Sequence, residues 1–266
     1  MKPKSTSKPE SGAGPYAMPA WHLLQVPILR GSLRGYRWLP ASGGKLLRVL
    51  LGTYERRQSK LFAQLVGEGD VVLDVGAAAG YYTLLGAKRV GKRGRVLAFE
   101  ADRKNAAYLR EHAAVNRLKN VSIFETAVGD QAGMARFAPG RGTGTGRLAS
   151  HGARRVALCR LDDVYTREGV APTHIKIDVE GAELAVLRGA TQILKQLRPI
   201  LFLSTHGPQH NAACCRLLHS LKYQLTGIDS PHLARASEIL AEPAERCESL
   251  PTPVYEMPRP TQRRAA

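Results

Sequence analysis

The stretch VVLDVGAAAGYYTLLGAKRV, running from Val71 to Val90, decides the fold. Val71, Val72, Leu73 and Val75 are apolar and only Asp74 interrupts them, the pattern of a buried strand in a parallel sheet. Gly76 and Gly80 follow at once, and a helical pattern then continues to about Val90. A glycine turn between strand and helix lets a ligand approach bare backbone at the helix N-terminus. A second apolar run, Arg95-Val96-Leu97-Ala98-Phe99, ends in Glu100. An acid at that strand tip can hold ribose hydroxyls. Strand, turn and acid together predict a nucleoside-type cofactor lying across the top of an α/β sheet.

The remaining chain fits one doubly wound α/β domain, because strand and helix patterns alternate. Strands are expected at 71–76, 95–100, 121–124 (ending near Ala127), 154–161, 174–177, 200–203 and 222–228. Helices are expected at 53–67, 80–90, 103–117, 181–196 and 209–221, with a short one after Asp162 and Asp163. Residues 139–150, PGRGTGTGRLAS, read as a Gly-rich linker or mobile segment. Residues 1–18 read as a disordered basic tail and 251–266 as a second disordered tail. Residues 19–52 form a basic, apolar cap or substrate segment with short helices, and 53–250 form the main domain. Trp21, Tyr36 and Trp38 beside Arg30, Arg34 and Arg37 also suit an interfacial segment, and hence a peripheral contact with an anionic membrane.

Charge and cysteine usage bound the function class. The 266 residues carry a formal net charge of +17, and residues 1–60 alone hold 11 Lys/Arg against 2 Asp/Glu. Such a surface attracts nucleic acid, anionic lipid or a phosphorylated substrate, or simply reflects Arg-rich codon usage. The first twenty residues lack a signal-peptide core and no apolar run is long enough to span a bilayer, so a cytoplasmic location is expected. Cys159, Cys214, Cys215 and Cys247 lack metal-like spacing and read as reduced thiols.

The turn Gly76-Ala77-Ala78-Ala79-Gly80 narrows the cofactor. It lacks the middle glycine of a dinucleotide fingerprint, which disfavours an NAD-dependent oxidoreductase, and it lacks the G-K-[ST] ending of a triphosphate loop. Asp74, two residues before the first glycine, points to a ligand with a cationic group. S-adenosylmethionine (SAM) has such a group in its α-ammonium, and the Asp74 carboxylate could draw on backbone N–H groups near Gly80. Backbone around Ala127 in Thr126-Ala127-Val128-Gly129-Asp130 is placed to meet an adenine ring. The second strong motif is Ile175-Lys176-Ile177-Asp178-Val179-Glu180-Gly181-Ala182-Glu183. Lys176 interrupts a buried strand and Asp178 ends it, at the sheet edge where open α/β folds bind ligands. Glu180 and Glu183 suit a helix N-terminus, the reading preferred for Glu183. His206 ends the next strand, after Ser204 and Thr205, where a histidine can act as general base.

Taken together, LDVGAAAGYYTLL, FEADRKN, NVSIFETAVGD, LDDV and IKIDVEGAELAVLRGA resemble, in order and spacing, the FkbM-type SAM-dependent methyltransferases over roughly residues 53–206. The resemblance implies a class I methyltransferase (Rossmann-like) fold, with a seven-stranded, mostly parallel sheet and an antiparallel hairpin at one edge. It implies O-methylation of a hydroxyl on a small molecule, glycan or natural product, with SAM as cofactor; no metal-ligand spacing is read from the residues, so no metal is expected. Asp74, Gly76, Ala78, Gly80, Tyr81, Glu100, Ala127 and Asp178 are then the cofactor-binding candidates. Asp178 and His206 are the alternative bases, and Lys176 steadies a developing oxyanion. The family commonly has Asn where Ala78 stands, and Glu where Ser204 stands. Tyr54-Glu55 resembles the segment that precedes the family's domain and closes over the cofactor. An RNA-modifying methyltransferase gripping phosphates with the N-terminal region, and a non-catalytic SAM-binding interaction protein, are the rival readings. Acceptor specificity is expected in residues 20–50, 139–152 and 207–215.

Overall fold

The computed structural model describes residues 24–43, 45–140 and 144–249, so both predicted tails and Trp21 lie outside the described residues. In chain order the elements are β1 (Val26–Pro27), β2 (Arg37–Trp38), α1 (Leu46–Leu50), α2 (Arg56–Leu65), β3 (Val71–Val75), α3 (Tyr81–Val90), β4 (Arg95–Phe99), α4 (Arg103–Val115) and β5 (Val121–Phe124). Then come β6 (Ala127–Val128), β7 (Gly133–Ala138), β8 (Arg147–Leu148), β9 (Arg154–Cys159), α5 (Leu161–Glu168), β10 (His174–Ile177), α6 (Glu183–Gly189) and α7 (Thr191–Gln196). The chain continues through β11 (Ile200–Ser204), α8 (Pro208–Ser220), β12 (Tyr223–Gly227), β13 (Glu238–Pro243) and α9 (Ala244–Ser249).

The main sheet has seven strands in the order β12-β13-β11-β10-β3-β4-β5. Its central pairs, from β11 to β5, are parallel, and β13 runs antiparallel to both neighbours. The period-2 alternation of a strand sorts side chains between two cores. Leu73, Val75, Ile175, Ile177, Leu201 and Leu203 face one way, onto Leu161, Val186, Ile193 and Leu218 of α5 to α8. Val72, Val96, Ile200 and Phe202 face the other way, onto Phe62, Leu84, Leu85 and Tyr108. Asp74 and Lys176 are Cα partners in the parallel β3–β10 pair, so a buried acid and a buried amine lie abreast on neighbouring strands. No helix among the described residues is long and apolar enough to cross a membrane.

Several expected elements differ in detail. The third strand stops at Phe124, and Ala127–Val128 joins a separate four-stranded sheet of order β6-β9-β7-β8. The strand expected at 154–161 belongs to that sheet rather than to an edge of the main one. β8 lies within the segment read as a Gly-rich linker, of which residues 141–143 lie outside the described residues. The helix expected at 181–196 is two helices meeting at Ala190. Asp162 causes the break, because its carboxylate accepts from the N–H groups of Gln192 (3.1 Å) and Ile193 (3.0 Å) and caps α7 as a new helix. β7 and β13 carry no clear sequence signal. β13, Glu-Ile-Leu-Ala-Glu-Pro, ends in proline, which normally marks a strand boundary, and its run is too short to show alternation.

Residues 24–52 form a cap, but Gly31 and Gly35, both with positive φ, interrupt any α-helix before α1, leaving the β1–β2 hairpin and a short 3₁₀ helix at Pro40–Ser42 in its place. Ile28, Leu33, Trp38, Leu39 and Val49 bury into the core on the α3 side. His112, wholly buried on α4, ties the cap to the turn after β3. Its ring stacks on Trp38 (3.9 Å between centroids), Nδ1–H donates to the Ala79 carbonyl at 2.7 Å, and Nε2 accepts from Leu39 N–H at 2.9 Å. Burial pushes the His112 pKa down to about 4, so the ring is neutral and this tautomer is the one both bonds require. Replacing the ring by His112→Phe keeps the stack but strands a buried N–H and a buried C=O, each costing about 1–3 kcal/mol. Urea unfolding is expected to show a loss of about 2–5 kcal/mol, with cap residues the first to lose hydrogen-exchange protection.

Candidate functional site

The turn after β3 is shaped by contacts that only glycine permits. Gly76 has φ +82° and a Cβ there would lie 1.8 Å from the Asp178 carbonyl oxygen. Gly80 has φ +100° and a Cβ would meet Leu109 at 2.4 Å. Between them Ala78 also takes a left-handed backbone, φ 48°. That conformation costs an L-residue about 1–2 kcal/mol and suits Gly or Asn better, a physical reason for Asn to be favoured there. The Ala78 N–H donates to Glu100 Oε2 at 2.7 Å, and Asp102 N–H donates to Oε1 at 2.7 Å. Glu100 therefore sits beside the turn, 7% exposed, with desolvation pushing its pKa up to about 7 against those hydrogen bonds.

Asp74 is 2% exposed. Its partner is Thr83 on α3, whose hydroxyl donates at 2.5 Å and whose backbone N–H also supports the carboxylate, three residues past Gly80. Burial raises the Asp74 pKa to about 6, opposed by Thr83 and by Lys176. Tyr81 opens α3 and packs its ring 4.6 Å from that of Tyr54. A narrow cleft runs on from the turn between Glu100, Phe99, Thr126, Ala127 and Leu148, the position expected for a planar base.

On the other side of the turn a cavity of about 380 Å³ opens between the sheet edge and the cap. Asp74, Tyr82, Lys176, Asp178, Ser204 and His206 line it from the sheet side, and Trp38, Lys45, Tyr54 and Glu55 from the cap. Among the described residues, six non-glycine residues have positive φ. Arg117, Arg198 and Lys222 simply follow helix ends, whereas Glu55, Ala78 and Glu180 all line this cavity. Left-handed non-glycine backbone of this kind concentrates at functional sites.

Lys176 is 1% exposed and reaches Ser204 Oγ at 2.6 Å and Asp178 Oδ2 at 3.4 Å. Burial alone would lower its pKa, but Asp178, Glu238, Glu55 and Asp74 outweigh it and raise the net value, so the amine stays charged. Ser204 Oγ donates onward to Glu238 Oε2 at 3.0 Å. The carboxylate absent from position 204 is thus supplied from β13, the strand that gave no sequence signal. Burial raises the Glu238 pKa to about 7 despite Lys176.

Asp178 and His206 converge as expected: His206 Nε2 lies 3.8 Å from Asp178 Oδ1 and 3.4 Å from Glu180 Oε2. Glu183 does more than serve its helix. Its side chain is 0% exposed, and Oε1 accepts from Gly181 N–H (2.8 Å) and from His206 Nδ1–H (2.7 Å). The Glu183 hydrogen bond raises the His206 pKa to about 9 against desolvation, with Asp178 and Glu180 assisting. An acid three residues after Glu180, opposite a strand ending in His, was the available signal for this pair.

The family model for the methyltransferase FkbM domain matches residues 74–225, more than half of the chain. The chain belongs to the FkbM methyltransferase family. The match begins at Asp74 and includes Glu100, Asp178, Glu183 and His206. No curated protein matches this family member in sequence. Among solved structures, methyltransferase FkbM from Methylobacillus flagellatus KT is similar in fold, with TM-score 0.50 and 19% identity over 74% of this chain and 52% of that one. The chain thus spans about half the length of that protein. A SAM-dependent O-methyltransferase from Thermotoga maritima aligns at TM-score 0.45 and 14% identity over 79% and 73% of the two chains. Aeropyrum pernix fibrillarin, solved with SAM, aligns at TM-score 0.45 and 14% identity over 70% and 73%.

Two outcomes are expected from these contacts. Ala78→Asn, easing the left-handed backbone, should stabilise by about 1 kcal/mol, a Tm gain of about 2–4 °C by calorimetry. His206 has a raised folded pKa, so its stabilisation is complete below its ordinary value of 6.5 and is lost as pH rises through about 9. In chelator-containing buffer, the Tm advantage of the unmodified protein over His206→Gln should shrink across that window.

Proposed function

We propose that this protein transfers a methyl group from SAM to a hydroxyl of a small molecule, glycan or natural product. The observation that carries the reading is the pairing of Glu100 with the turn: a buried carboxylate hydrogen-bonded to Ala78 N–H, where two ribose hydroxyls can add their donors. The narrow cleft past Ala127 suits adenine, and Asp74, backed by Thr83, suits the aminoacyl end of the cofactor. The methyl group then points into the cavity between the β10–β11 edge and the cap, where the acceptor would lie.

A sulfonium methyl is already activated, so the protein's main task is alignment, which contributes several kcal/mol. The hydroxyl proton leaves during or after in-line attack. His206, held cationic at neutral pH, is a donor rather than a base, which leaves Asp178 as the proton acceptor. Lys176 and His206 then keep the charge near Asp178 balanced and offer positive potential to the developing oxyanion.

Calorimetry with SAM tests the cofactor side, and mass spectrometry for a gain of one methyl in glycan, lipid, small-molecule and RNA fractions tests the acceptor side. Glu100→Ala should abolish SAM binding. His206→Ala should leave SAM affinity intact and slow turnover by roughly 10²–10³-fold, through loss of positive potential at the oxyanion. Full turnover by both variants would overturn the assignment, and methylation confined to RNA would favour the nucleic-acid reading.

A further inference from the structure

We propose that Asp178, Glu180 and His206 form a divalent-cation site at the mouth of the cavity. One ligand atom from each of the three residues lies within 4.8 Å of the others. The His206 ring is already set for ligation. Its Nδ1–H is taken by Glu183 at 2.7 Å, so Nε2 is the nitrogen that faces the two carboxylates, and an ion bound there takes the place of the Nε2 proton. A carboxylate holding the far nitrogen of a histidine is the usual support for a metal-binding imidazole.

The distances argue for an ion rather than for direct pairing. A charge-assisted N–H···O bond closes to about 2.7–2.9 Å. Here Nε2 stands 3.4 Å from Glu180 and 3.8 Å from Asp178. Two ligand atoms each about 2.1 Å from one metal are separated by roughly 3.0–3.8 Å at bond angles from near 90° upward. Glu180 is held in this place by a left-handed backbone, φ 54°.

A second, independent observation comes from behind the ring. Glu183 is fully buried and aimed at His206, yet its Oε2 has no hydrogen-bond partner among the described residues. Once an ion takes the place of the His206 Nε2 proton, Asp178, Glu180 and Glu183 bring three negative charges against the positive charges of Lys176 and Lys45. A divalent cation neutralises that excess. Two carboxylates and one imidazole suit Mn²⁺ or Mg²⁺, which keep water or substrate oxygens in their remaining positions.

The site's consequence rests on the methyl-transfer reading. Asp178 and His206 line the cavity, so an acceptor hydroxyl can take an open coordination position. A metal-bound hydroxyl would lose its proton more readily, here to the Asp178 carboxylate oxygen that does not hold the ion, which prepares the attacking oxygen. The ion itself requires only the three side chains, so its binding can be tested apart from catalysis.

Full-length protein stripped with EDTA and titrated with Mn²⁺ alone, followed by loss of the free-ion electron paramagnetic resonance signal, should bind one ion per chain. His206→Ala and Glu180→Gln should each weaken that binding by about tenfold or more, and Glu183→Gln by about tenfold through loss of ring support. Folding of each variant is checked by its melting curve, and SAM calorimetry is run beside the titration. Absence of saturable Mn²⁺ binding, or binding unchanged in both His206→Ala and Glu180→Gln, would overturn the site. Mn²⁺ binding with no heat from SAM would instead leave the site standing and sink the methyl-transfer reading.

Discussion

A side chain at position 76 has nowhere to go. The backbone of the turn after β3 touches the backbone at the tip of β10, and a single methyl would drive into the Asp178 carbonyl. This contact fuses two sequence motifs that lie a hundred residues apart into one site. Parallel pairing of β3 with β10 sets Asp74 beside Lys176, and the glycine contact then holds the loop carrying Asp178 and Glu180 against the turn. Every distance in the cavity follows from that packing. A shift of the turn outward would separate Ala78 N–H from Glu100 and loosen the Ala79 carbonyl from His112 at the same time.

The electrostatics run against the composition. The chain carries a net charge of +17, yet its cavity gathers Glu55, Asp74, Asp178, Glu180 and Glu238 against Lys45, Lys176 and His206. A cationic donor such as an adenosyl sulfonium is at home in such a pocket, whereas a phosphate-bearing ligand would meet mostly carboxylates. The other basic residues sit elsewhere, with Arg30, Arg34, Arg37 and Arg48 on the cap. Leu24, Leu29, Leu47 and Leu51 of that same segment are exposed, so one face of the cap is buried in the core and another presents leucines among arginines. Surface charge and site charge therefore speak to different partners.

The parts legible in the sequence were those written in short range. Val71 to Gly80 showed strand, turn and helix start because apolar pattern and glycine need no distant partner. Glu100, Asp178 and His206 were legible because each ends an apolar run, and strand tips share one edge in this architecture. The parts that failed depend on tertiary neighbours. The break at Ala190 is made by a carboxylate from α5, which local helix propensity cannot reveal. Glu238 lies on a strand between two others, and its strand is recognised only by what it pairs with. Glu183 fitted a first-turn acid so well that the spacing which also points to its second role, behind His206, was passed over.

Ser204 shows how far a one-position reading can mislead. Taken alone, a serine where relatives of this type carry an acid suggests a weakened site. In the fold, the serine hydroxyl hands the Lys176 hydrogen bond on to Glu238, one strand away. The buried amine therefore still ends on negative charge, supplied from the neighbouring strand β13. Charge balance at Lys176 is thus kept by Glu238, a residue that no local pattern around position 204 reveals.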